Sequence, residues 1–146
     1  RVVEADFNEY FPGKRGIYDL IVCNPPYFSN SLLPQDQARR RARHTETLSL
    51  EQLIKGISLL LSGTGRTNLI VPAELLMELE MIAAEQGLFL SRKLAVIPVP
   101  GKDAVRVCLE YSKTKSAIES SELVIESGGR HVYSEEYIEL TKDFYL

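Results

Sequence analysis

The sequence predicts an α/β fold, an open parallel sheet layered with helices, on three observations. A short apolar run from Tyr18 to Cys23 is closed by Asn24-Pro25-Pro26, too short for a globular helix and stopped by two prolines, so it reads as a buried strand. Ser49-Leu50-Glu51-Gln52 is a capping box, and Leu50, Leu53, Ile54, Ile57, Leu60 and Leu61 follow at helical spacing, which predicts a helix with one face on the sheet. Two β-like segments near residues 93–99 and 105–111 flank the turn Pro100-Gly101-Lys102-Asp103 and predict a terminal hairpin.

Taken in order, Val2, Val3 and Ala5 lead to Asp6-Phe7, a short strand with an acid at its end, and residues 8–16 read as loop or frayed helix. Residues 29–43 carry no clear period and are expected to form a loop leading into a helical turn. Gly63-Thr64-Gly65 ends the capped helix; it follows a helix and precedes the strand at residues 68–71, the reverse of a phosphate loop. Pro72 suits the first turn of a helix over residues 73–86, closed by Gly87, with Leu75, Leu76, Leu79, Ile82 and Ala83 as its buried stripe. Residues 88–99 read as a strand, and Val105, Val107, Leu109 and Tyr111 alternate with Arg106, Cys108 and Glu110 as a half-exposed strand does. Residues 113–121 are linker, short strands at 122–125 and 132–133 flank Ser127-Gly128-Gly129, His131 is a surface residue, and residues 137–145 form an aromatic tail that docks on the body.

At 146 residues and 45% hydrophobic content, one domain with a real core is expected. A net charge of -3 with a pI near 5.5 gives no global attraction for nucleic acid. Arg39, Arg40, Arg41 and Arg43 nevertheless crowd just beyond the predicted strand, either as a solvated face or as a local phosphate site. Cys23 and Cys108 lack a CxxC partner, which argues against zinc and a disulfide framework and fits a reducing cytoplasm. No apolar stretch reaches the length of a membrane span, so no membrane partner is expected.

The chemistry is expected where the strand ends, because ligands of open α/β sheets lie outside the carboxyl ends of the strands. Asn24 offers a side-chain carbonyl and Pro25 a main-chain carbonyl held rigid by the following Pro26. Two fixed acceptors suit a planar NH2 whose lone pair is delocalised, since they favour the pyramidal, positively charged nitrogen that develops during attack. Tyr27 and Phe28 supply π-faces for an extruded base.

Asn24-Pro25-Pro26-Tyr27 after a hydrophobic strand resembles the signature of S-adenosylmethionine-dependent methyltransferases acting on exocyclic or amide NH2 groups. The segment Ala42-Arg43-His44-Thr45-Glu46-Thr47-Leu48-Ser49-Leu50 and the endings Tyr133-Ser134-Glu135-Glu136-Tyr137-Ile138 and Thr141-Lys142-Asp143-Phe144-Tyr145-Leu146 narrow the resemblance to the bacterial tRNA adenine-N6 methyltransferase family that modifies the adenine 3′ to the anticodon of a valine tRNA. The resemblance implies a Rossmann-like class I methyltransferase fold with a terminal antiparallel hairpin, S-adenosyl-L-methionine as cofactor and tRNA as partner. It implies Asn24, Pro25, Pro26 and Tyr27 as the catalytic set, with Asp6, Phe7 and Asn24 toward the cofactor. Asp6 would accept from the cofactor's adenine amine, or it caps the next turn. Phe28, Arg39, Arg40, Arg41, Arg43 and His44 are candidate RNA contacts, with a packed, loop-positioning imidazole the favoured reading of His44. No metal is implied.

That family's domain opens with a strand, a Gly-x-Gly loop and a second strand ending in an acid, none of which is found in these residues. Residues 1–146 are therefore expected to be the C-terminal part of a single catalytic domain, inactive alone. The strand ending at Asn24 would then have an open edge that pairs with the missing part or with a second copy. Alternatives within the chemistry are methylation of a release-factor glutamine amide or of guanine N2 in ribosomal RNA. An alternative of another class is a catalytically silent domain that self-associates.

Overall fold

The computed structural model describes residues 2–25 and 48–144. Its elements are α1 (Phe7–Tyr10), β1 (Tyr18–Cys23), α2 (Leu50–Leu60), β2 (Leu61–Pro72), a 3-10 turn (Ala73–Leu75), α3 (Leu76–Glu85), β3 (Phe89–Ile97), β4 (Arg106–Ser112), β5 (Glu119–Val124) and α4 (Glu135–Thr141).

Helix α2 starts at the predicted capping box: the Gln52 amide donates to Ser49 Oγ at 3.1 Å and the Ser49 amide to Gln52 Oε1 at 2.9 Å. Leu50, Leu53, Ile54, Ile57 and Leu60 are buried, as the 3.6-residue period requires. Gly87, at φ 71°, closes α3; its amide and that of Leu88 bond back to Ala84 and Ala83.

The five strands form one sheet in the order β1-β2-β4-β3-β5. β1 lies parallel to β2, β4 is antiparallel to both its neighbours, and β5 is parallel to β3. The hairpin β3–β4 and the antiparallel final strand of the pattern are thus present, and β5 adds a further edge. Thr67, Leu69, Val71, Val107, Leu109 and Tyr111 point to one face and are buried there with α2 and α3. The alternate residues, Leu20 and Val22 of β1 with Ile70, Leu94, Val96 and Cys108, share the other face, where Leu20 and Val22 are exposed and the other four half-buried. Among the described residues β1 has β2 on one side and no strand on the other.

Several sequence expectations are corrected. Residues 2–6 are not a strand, because a strand exists through a ladder and no described strand lies beside them; Val2 is 98% exposed. β2 begins at Leu61, directly after α2, instead of at residue 68. Its ladder to β1 steps from Tyr18↔Leu61 to Leu20↔Arg66, so Ser62 to Gly65 bulge out between the two pairs. Residues 73–75 wind as a 3-10 turn before α3, Val105 is exposed ahead of β4, and β5 begins within the expected linker. The tail folds as α4, with Tyr133 and Tyr137 rings 5.2 Å apart, yet Ile138, Leu140 and Phe144 remain exposed.

Candidate active site

β1 reaches the level of Leu69 at Cys23, three residues short of the end of β2. The chain then leaves the sheet at Asn24, which is exposed, and Pro25, which is buried. The expected pair of acceptors therefore starts at the carboxyl end of a parallel strand, where the fold class places its chemistry. Pro26, Tyr27, Phe28, Arg39, Arg40, Arg41, Arg43 and His44 lie outside the described residues.

Asp6 and Phe7 enter from the other side of β1 in the sequence. Asp6 Oδ1 accepts from the Asn8 amide at 2.8 Å and caps α1, the structural role weighed for it. The capping bond uses Oδ1; Oδ2 is in no hydrogen bond among the described residues. Phe7 stacks beside Phe11 with ring centres 5.3 Å apart, and both rings lie against the backbone of α2 at Gly56. The Tyr10 and Tyr18 hydroxyls are hydrogen-bonded to each other and tie α1 to β1. The amides of Gly16 and Ile17 donate to the carbonyls of Leu59 and Leu60, fixing where β1 begins relative to α2.

Burial raises the thiols of Cys23 and Cys108 above their ordinary value, which makes them poor nucleophiles. Among the described residues no group of three or more His, Cys, Asp or Glu is placed to hold a metal. No described helix is long and apolar enough to cross a membrane.

No family model matches the chain. Its sequence is 42% identical over 146 residues to the tRNA1(Val) (adenine(37)-N6)-methyltransferase of Bacteroides fragilis, covering 99% of this chain and 61% of that protein. It is 43% identical over 147 residues to the enzyme of the same name from Parabacteroides distasonis, covering 62% of it. By sequence the chain is a relative of the tRNA1(Val) (adenine(37)-N6)-methyltransferases. It spans about three fifths of the length of those relatives.

Solved structures agree on the fold. A predicted O-methyltransferase from Agrobacterium tumefaciens superposes with a TM-score of 0.60 at 20% identity, over 89% of this chain and 54% of that one. A protein assigned as a DNA modification methylase from Thermus thermophilus, crystallised with S-adenosyl-L-methionine, gives 0.51 at 18% identity, over 92% and 58%. The chain carries the Rossmann-like α/β fold of these methyltransferases. Sequence reasoning did not single out Gly56 or Phe11; the available signal was a glycine inside an otherwise strongly amphipathic helix.

Proposed function

We propose that the chain is the C-terminal part of a single S-adenosyl-L-methionine-dependent methyltransferase domain that methylates N6 of an adenine in tRNA. The observation that carries this is the exposed Asn24, followed by Pro25 and Pro26 at the carboxyl end of β1, in a chain 42% identical to a tRNA adenine-N6 methyltransferase. The cofactor supplies an electrophilic methyl group on a sulfonium. The Asn24 side-chain carbonyl and the Pro25 main-chain carbonyl accept from the two N–H bonds of the amine, lowering the cost of the charge that builds on nitrogen as it takes the methyl. The displaced proton leaves by way of one of these oxygens to water. Tyr27 and Phe28 stack on the base, Pro26 holds the Pro25 carbonyl rigid, Arg39, Arg40, Arg41 and Arg43 meet RNA phosphate, and His44 positions that basic segment as a packed imidazole. Asp6 and Phe7 face the cofactor's adenine, Asp6 through the oxygen its capping bond leaves free.

The relatives are longer than this chain, and the edge of β1 that no described strand pairs, with Leu20 and Val22 beside it, is a surface that further polypeptide, or a second copy, would cover. A cytoplasmic location accords with a tRNA substrate.

Asn24→Ala in the complete domain tests the assignment. Removing one of two acceptors should lower methyl transfer by on the order of 10²-fold, with folding unchanged because the side chain is exposed. Unchanged turnover overturns the role. Methyl incorporation into tRNA, release factor and ribosomal RNA, assayed in parallel, separates the three NH2 substrates, and tRNA is the expected acceptor.

A further inference from the structure

We infer that Gly56 is a positioning residue for the cofactor, through the two phenylalanines that rest on it. This goes beyond the assignment of Asp6 and Phe7 to the cofactor, and it rests on that assignment.

Glycine inside a helix costs about 1 kcal/mol relative to alanine, so a helix as well formed as α2 would gain from alanine there. The structure gives a reason for its presence. A Cβ on Gly56 would lie 2.4 Å from Phe7 Cε1, 2.7 Å from Phe7 Cζ and 2.7 Å from Phe11 Cδ1. Carbon atoms pack at about 3.5 Å or more, so the Phe7 ring would have to retreat by about 1 Å. Helix α2 itself has little freedom to yield, because Leu53, Ile54 and Ile57 hold it to the sheet at 3% exposure or less.

The movement falls on α1 and therefore on Asp6, the residue before Phe7 and the cap of that helix. Asn24, by contrast, follows β1, which is anchored by its ladder to β2. Filling the space over Gly56 should thus separate the two halves of the site: the cofactor end shifts and the end that meets the amine stays. A misplacement of about 1 Å is enough to cost on the order of 10²-fold in a positioned interaction.

The test is Gly56→Ala in the complete domain, with S-adenosyl-L-methionine binding measured by calorimetry and methyl transfer measured at saturating cofactor. The expected result is a Kd and KM for the cofactor raised about tenfold or more, with kcat and the KM for RNA nearly unchanged. Gly56→Ser, which places a Cβ at the same point, should weaken cofactor binding at least as much. Phe11→Ala, which leaves Gly56 and Asp6 untouched, should also weaken it by removing the other ring of the clamp, and it serves if Gly56→Ala does not fold. Cofactor binding equal to wild type in Gly56→Ala, or in Phe11→Ala where that variant serves, overturns the positioning role while leaving the cofactor assignment standing. A wild-type complete domain that binds no cofactor overturns both.

Discussion

Tyr111→Phe should stabilise the protein. Tyr111 is 1% exposed at the centre of the core, opposite Thr67 on β2 and Leu90 on β3, and its hydroxyl has no hydrogen-bond partner among the described residues. Phenylalanine keeps the ring and its packing and removes only the stranded oxygen. An unmade hydrogen bond on a buried group costs about 1–3 kcal/mol, so the gain is of order 1 kcal/mol, or about 2–4 °C in Tm for a domain of this size. Burial, with the Glu80 carboxylate adding to it, pushes the Tyr111 phenol well above its ordinary value of 10.0. The folded pKa is raised, so the associated stability is fully present below about pH 10 and is lost as pH rises above it, where the unfolded chain ionises first. The loss runs at up to about 1.4 kcal/mol per pH unit. Tyr111→Phe should remove that alkaline slope as well as raise the urea midpoint at pH 7. A lower midpoint with an unchanged m-value would show that the hydroxyl has a partner in solution and refute the reasoning.

Ser49→Ala removes the hydroxyl that accepts from the Gln52 amide, while the amide of residue 49 can still donate to Gln52 Oε1, and should cost about 1 kcal/mol, seen as a lower urea midpoint; no change would mean that α2 is held by packing alone. Cys23 and Cys108, with thiols raised by burial, should react with a thiol reagent at pH 8 more slowly than free cysteine, and at the free rate in denaturant. Equal rates in the native protein would contradict the burial.

The residues alone settle what depends on local pattern. The capping box and the spacing from Leu50 to Leu60 define α2, and Gly87 defines the end of α3, because caps and periodicity act within a few residues of themselves. The end of β1 was legible for a similar reason: the strand stops at Cys23, directly before Asn24-Pro25-Pro26, and a proline pair acts on its immediate neighbours.

Only the tertiary structure decides what depends on a partner. Residues 2–6 have strand-like composition but no described strand beside them, β5 forms from residues read as linker because β3 offers an edge, and β2 gains its early start by pairing Leu61 with Tyr18. Gly56 belongs to the same class, for its role is set by Phe7 and Phe11, more than forty residues away in the chain. Hydrogen-bond ladders and close contacts are made between segments, so a single segment read alone does not contain them.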